Sequence, residues 1–271
     1  MNKLIFRFNS QGSQGNFNSK NMLGGKGANL AQMAKLGLPV PPGFTITTKV
    51  CEYFYESNKK IPKKVVQQTK KEIKIIEKIT KKKFGNLFNP LIVSVRSGSR
   101  VSMPGMMDTV LNLGLNDKTV IALKNKTSNG RFAKDSYRRL IQMYGDVVKG
   151  VKRELLEAPL EALKHEEGVR FDSELSVQAL ESLVEKLSAV YKQETGEDFP
   201  QDPKEQIREA VAAVFNSWGG KRAISYRAIN KIPEDWGTAA NVQAMVFGNF
   251  GDKSATGVAF TRNPSTGENR V

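Results

Sequence analysis

Between residues 116 and 199 the apolar side chains recur at helical spacing. Phe132, Leu140, Met143, Tyr144, Val147 and Val151 fall on one stripe, and Leu180, Val184, Leu187 and Tyr191 on another. Strand-like alternation lies before and after this block. Any sheet in the chain is therefore assembled from segments that a helical subdomain interrupts. At 271 residues the chain exceeds one small domain. With 39% hydrophobic and 25% charged residues it has the material for an ordinary core. Cys51 is the only cysteine, which excludes a disulfide framework and a cysteine-rich metal site and fits a reducing compartment.

On the N-terminal side, Leu4, Phe6 and Phe8 alternate as an opening strand. Phe44 and Ile46 mark a short strand after a Pro-Pro-Gly turn, and Val93 and Val95 mark another. Beyond the insert, Asp202, Pro203 and Glu205 supply the N-cap, first-turn proline and acidic residue of a new helix. Ile207, Val211, Val214 and Phe215 form its buried face, and a further helix runs from Lys221 to Asn230. The β-rich run 242–247 and its return at 257–261 read as a hairpin.

Two turns concentrate chemistry suited to anions. In 93–109, VSVRSGSRVSMPGMMDT, Arg96 and Arg100 bracket a Ser-Gly-Ser turn at a strand end, with Ser97, Ser99 and Ser102 nearby. Guanidinium forks match phosphate oxygens bidentately, and glycine lets backbone N–H groups approach them. In 23–30, LGGKGANL, a glycine-rich turn carrying Lys26 enters a helix N-terminus, where free N–H groups favour negative charge. Named nucleotide motifs fail here. A Walker A loop requires Ser or Thr where Gly27 stands and glycine at Lys20, and a dinucleotide fingerprint requires glycine at Leu30.

The formal charge of +15 favours anionic partners, but the excess is local. Residues 59–83 hold eleven lysines against Glu72 and Glu77. Val65, Val66, Thr69, Ile73 and Ile76 keep a helical period there, so the lysines coat the solvent face of one amphipathic helix. No aromatic residue interleaves them, which argues against a single-strand nucleic-acid groove. His165, among Lys164, Glu166 and Glu167, reads as a solvated surface residue. The N-terminus carries no signal-peptide core, and no apolar run approaches membrane-spanning length, so the chain reads as cytoplasmic, without a membrane partner.

Five stretches resemble the N-terminal nucleotide-binding domain of the pyruvate, phosphate dikinase family. They are LGGKGANLAQM at 23–33, SVRSGSRVSMPGMMDTVLNLGLND at 94–117, RFAKDSYRRLIQMYGDVV at 131–148, DWGTAANVQAMVFGN at 235–249 and GVAFTRNPSTGE at 257–268. The resemblance runs nearly end to end. The MPGMMDT segment separates this family from pyruvate, water dikinases and glucan dikinases, which rank second.

The resemblance implies an α/β, ATP-grasp-like fold of two lobes with an inserted helical subdomain and an incomplete second lobe. Residues 1–115 with 200–241 form the first lobe, 116–199 the insert and 242–271 the start of the second. It also implies conversion of ATP, phosphate and pyruvate to AMP, pyrophosphate and phosphoenolpyruvate through a phosphohistidine on a separate domain. No catalytic residue is then expected in this chain.

By position, Lys26 and Arg96 correspond to phosphate-contacting residues. Met103, Gly105, Met106, Met107, Asp108 and Thr109 correspond to a loop closing over the phosphates. Arg139 corresponds to a further arginine facing the ATP cleft, and Gln243, Met245 and Val246 to an inter-lobe strand against the adenine. ATP and Mg²⁺ are the implied cofactors. The carboxylates that hold Mg²⁺, and a glutamine of the ATP site, are expected beyond Val271, so the chain alone is expected to bind ATP weakly or not at all. The implied partners are the phosphohistidine and pyruvate-binding domains of the same enzyme, which is expected to be a homo-oligomer. A non-catalytic split-gene fragment is the remaining alternative, and nucleic-acid binding is the least supported.

Overall fold

The computed structural model describes residues 3–251 and 253–270. Eight strands are present among them: β1 (Ile5–Asn9), β2 (Gly12–Ser13), β3 (Gly43–Ile46), β4 (Lys83–Phe84), β5 (Pro90–Leu91), β6 (Val93–Gly98), β7 (Thr109–Leu113) and β8 (Ala239–Ala244). Six form one sheet in the order β2-β1-β3-β8-β6-β7, with every neighbouring pair antiparallel. The short β4 and β5 make a separate parallel pair.

Strand β8, last in the chain, fills the gap between β3 and β6 and pairs with both. Its register sets Asn241 between Thr45 and Arg96, and Gln243 between Gly43 and Ser94. Because successive side chains alternate across a sheet, Phe44, Ile46, Val93, Val95, Ala240 and Val242 share the face turned to the main core. Thr45, Arg96, Asn241 and Gln243 occupy the other face. One side of the sheet is thus apolar cement, and the other carries a polar stripe.

Nine helices lie among the described residues: α1 (Lys20–Lys35), α2 (Thr48–Glu56), α3 (Lys63–Thr80), α4 (Asp117–Thr127), α5 (Gly130–Val147), α6 (Arg153–Glu166), α7 (Val177–Thr195), α8 (Pro203–Ser217) and α9 (Lys221–Asn230). Helix α1 covers the polar face, joining Leu30 and Ala34 to Phe8, and Ala28 and Ala31 to Phe6. Helices α2, α3 and α8 lie on the apolar face. β1 is therefore covered on both sides, with Phe6 and Phe8 toward α1 and Ile5 in the main core. Its neighbour Arg7 forms a bidentate pair with Glu72 of α3 at 2.7 and 3.1 Å. Two-sided coverage, not one-sided alternation, is the finding for this strand.

The insert is the expected helical block, α4 to α7, each start but that of α6 capped by a side chain. Asn116 accepts from the amides of Lys118 and Thr119 at 3.0 and 2.7 Å, Asn129 from Phe132 at 2.9 Å and Ser176 from Ala179 at 3.1 Å. The apolar stripe of α5 meets α7, and Tyr137, Tyr144 and Tyr191 all set their rings edge-on to Phe199, with centroids 5.9, 5.4 and 5.4 Å away. Asp202 caps α8 through the Lys204 amide at 2.9 Å. His165 is exposed on α6.

The expected hairpin is not formed. Both edges of β8 are already paired, β8 ends at Ala244, and no strand follows among the described residues. The boundary drawn at 242 therefore falls inside β8, and residues 242–244 belong to the six-stranded sheet. Phe247 and Phe250 instead pack edge-on and tilted against Phe132 of the insert, with ring centroids 4.9 and 5.6 Å away. Val258 and Phe260 are exposed. Among the described residues no helix is long and apolar enough to cross a membrane.

Candidate functional site

The two cationic turns meet at one place. Helix α1 breaks at Gly24, whose φ of 66° and ψ of 172° end a first short turn and start the main helix afresh. A side chain at Gly24 would put its Cβ 1.8 Å from the carbonyl oxygen of Gly98, so the break rests directly on the end of β6. The Gly25 amide donates to the Ser99 carbonyl at 2.7 Å and locks the two turns together. Gly27 lies as close to the sheet: a Cβ there would come within 3.0 Å of both Thr45 and Asn241.

This contact leaves a cleft of about 780 Å³ between the start of α1, the end of β6 and the loop after it. Lys20, Lys26, Arg96 and Arg100 line it, with Ser97, Ser99, Ser102 and Thr109. Lys26 is exposed at the mouth, yet surrounding protein and, secondarily, the Arg96 charge hold its pKa below the usual lysine range. Burial likewise works against the charge of half-buried Arg96. No acid contributes to either shift. The site is a place where positive charges are brought together and partly stripped of water.

Gln243 fixes Arg96 from beneath. Its amide nitrogen donates to the Pro41 carbonyl at 2.9 Å, and its oxygen accepts from the Arg96 guanidinium in a short hydrogen bond. The Arg96 Nε remains buried without a partner, as does that of Arg100, whose guanidinium lies 5.1 Å over the Trp236 ring. Buried orphan donors are costly. Asn241 and Thr45 join through a 2.8 Å hydrogen bond below Gly27.

The expected loop residues divide. Met103, Gly105, Met107 and Thr109 line the cleft. Met106 packs against the main core, and Asp108 is held from outside by Arg222 of α9 at 3.2 Å. Arg222 also donates to the Gly105 carbonyl at 3.3 Å. Burial raises the Asp108 pKa, Arg222 opposes that rise, and Asp146 adds to it.

Arg139 does not reach the cleft. It pairs with Asp135 at 2.9 Å and approaches Asp172 at 3.9 Å, beside buried Arg138, which shares both carboxylates. Its partners are an acid four residues before it on α5 and one on a neighbouring segment. Met245 accepts a contact from the Asn112 amide at 3.2 Å, and Val246 is 76% exposed; neither lines the cleft. The roles of Gln243 beneath Arg96 and of Arg222 outside the loop have no local sequence signal, since both act across more than a hundred residues of chain.

Comparison with known proteins bears on this geometry. The family model described as "Pyruvate phosphate dikinase, AMP/ATP-binding domain" matches residues 20–82 and 59–271. The chain belongs to this family. It is 54% identical to pyruvate, phosphate dikinase of Clostridium symbiosum and 52% identical to that of Rhizobium meliloti (strain 1021), in both cases over 100% of its own length. It is 50% identical to the chloroplastic pyruvate, phosphate dikinase of Flaveria pringlei over 99% of its length. It spans 31%, 30% and 28% of those relatives respectively. The expected family is thus borne out, and Lys26, Arg96 and the 103–109 loop lie inside the matched region.

Proposed function

We propose that the cleft grips the phosphates of ATP, and that the chain is the nucleotide-binding part of a pyruvate, phosphate dikinase. The carrying observation is the meeting of Lys26 and Arg96 at one cleft whose lining holds no acid. Phosphoryl transfer asks for charge spread over oxygens to be neutralised and for the groups to be held in place. Lys26 serves as a point charge at the mouth, and Arg96, oriented by Gln243, as a fork from the sheet. The Gly25 end of α1 adds the positive pole of its helix. The relatives' shared name favours this reading over a pyruvate, water dikinase.

The wider arrangement belongs to the same reading. Residues 116–199 form the insert of an ATP-grasp-like first lobe completed by β8, and the chain after β8 leads toward a second lobe. The overall reaction yields AMP, pyrophosphate and phosphoenolpyruvate through a phosphohistidine carried elsewhere. Mg²⁺ does not fit the residues of the cleft: none of its lining side chains is a carboxylate, and Asp108 is already paired with Arg222. The cleft has the chemistry to receive phosphate oxygens.

The test uses the full-length protein. Arg96→Ala abolishes the half-reaction with ATP and spares pyruvate–phosphoenolpyruvate exchange. Equal loss of both activities overturns the role given to Arg96.

A further inference from the structure

The cleft holds a second arginine whose charge nothing in the protein answers. Arg100 lies four residues past Arg96, beyond the last residue of β6, and both line the cleft. Arg96 has Gln243 beneath it. Arg100 has no such partner: among the described residues neither of its terminal nitrogens makes a hydrogen bond or an ion pair. Its Nε is buried, and the terminal nitrogens stay open.

What holds this side chain is a ring. The guanidinium sits 5.1 Å over Trp236, within cation–π range. The ring is itself tied down by its neighbours in the chain. Trp218 Nε1 donates to the Glu234 carbonyl at 2.9 Å, and Thr238 Oγ1 accepts from the Gly98 amide at 3.1 Å. Between them Gly237, at φ 61°, packs so closely that a Cβ there would lie 3.3 and 3.4 Å from Cys51 Cβ and Sγ. The turn that carries Trp236 is thus anchored to the same strand end that carries Arg100. Stacking takes one face of the planar guanidinium and leaves the N–H edge in its plane for an oxyanion. A carboxylate partner would cancel the charge, whereas the ring orients it and keeps it.

Reach separates the two arginines. Arg96 is the charge that, with burial, lowers the Lys26 pKa. Arg100 stands farther along, at most about 13 Å from Arg96 by a strand-like path of four residues. An anion held by Lys26 and Arg96 meets Arg100 only if it extends beyond them. We propose that Arg100, positioned by Trp236, is the residue by which the cleft distinguishes a triphosphate from a shorter polyphosphate. This role rests on the cleft's gripping phosphates. Trp236 does not line the cleft and acts through Arg100.

Calorimetric titration of the full-length protein with tripolyphosphate and with pyrophosphate tests the assignment. Arg100→Ala is expected to weaken tripolyphosphate binding at least about tenfold and pyrophosphate binding less than about threefold. Arg100→Lys, which keeps the charge without the fork, recovers part of the loss. Trp236→Leu weakens tripolyphosphate binding about threefold, and Trp236→Phe, which keeps a ring under the guanidinium, stays within about twofold of the parent. Tripolyphosphate also changes the tryptophan fluorescence, and by less in Trp236→Phe than in the parent. Equal losses for the two anions in Arg100→Ala, or none, overturn the role of Arg100. Parental binding by Trp236→Leu, or an identical fluorescence change in Trp236→Phe, overturns that of Trp236. Where Arg96→Ala abolishes tripolyphosphate binding and Arg100→Ala does not, this inference alone falls. Where the parent itself binds no tripolyphosphate, the phosphate-gripping cleft falls with it.

Discussion

Replacing Gly24 by alanine attacks the junction on which the cleft depends. Two costs add there. The residue sits at φ 66° and ψ 172°, a region populated essentially by glycine, and holding alanine there costs about 1–3 kcal/mol. The new methyl would also lie 1.8 Å from the Gly98 carbonyl oxygen and 2.5 Å from its carbon, so helix and strand end must part. Forced overpacking of this kind costs about 1–3 kcal/mol more. The expected total, about 2–6 kcal/mol, is a large share of the stability of an ordinary domain.

Urea unfolding followed by circular dichroism measures this cost, and Gly37→Ala is its control. Gly37 has φ 79° but open space around its Cβ, so only the backbone cost of about 1–2 kcal/mol applies. Gly24→Ala is expected to lose more stability than Gly37→Ala, and to lose triphosphate binding that Gly37→Ala keeps. A Gly24→Ala protein within about 0.5 kcal/mol of the parent refutes the claim that α1 and β6 are wedged together at this point.

Burial pushes the Cys51 thiol up to about 12, from an ordinary 9.0. The unfolded chain therefore releases this proton first as pH rises, so stability falls between about pH 9 and 12, and Cys51→Ala flattens that part of the urea-midpoint profile. An unchanged slope contradicts the assignment. Native protein at pH 8 is expected to leave Cys51 unmodified by a thiol reagent that labels it fully in urea. Arg222→Ala removes both Arg222 bonds to the 103–108 loop and leaves the 3.3 Å bond from the Asp108 amide to Ser217, and limited proteolysis is expected to cut that loop faster while the rest of the chain stays resistant. Unaltered cleavage there contradicts a restraining role for Arg222.

Much of this architecture was legible because its signals are local. The Asp-Pro start of α8 and the helical stripes of α5 and α7 each depend on residues within two turns of one another. So does the alternation of Val93 and Val95 that lays down β6. The anion chemistry was legible for the same reason: Lys26 and Arg96 each stand within two residues of a glycine, Lys26 just after the break in α1 and Arg96 near the end of β6. What the sequence hid is pairing at long range. β8 is bonded to β3 and β6, and the Thr45–Asn241 and Arg96–Gln243 bonds span 196 and 147 residues.

The hairpin expectation failed on the same ground. The 257–261 run has strand-like residues, but the strand it was matched with had both edges taken. Arg139 is paired with Asp135, one turn before it on α5, and that partner was visible in the sequence.

The central claim is that Lys26 and Arg96 act on the same phosphates, and a double-mutant cycle measures it most directly. Tripolyphosphate binding is titrated calorimetrically for the parent, Lys26→Ala, Arg96→Ala and the double variant, all in the full-length protein. Two cations gripping one anion give a coupling of about 1 kcal/mol or more between the substitutions. Losses that add to within about 0.5 kcal/mol place the two side chains on separate ligands and contradict the account.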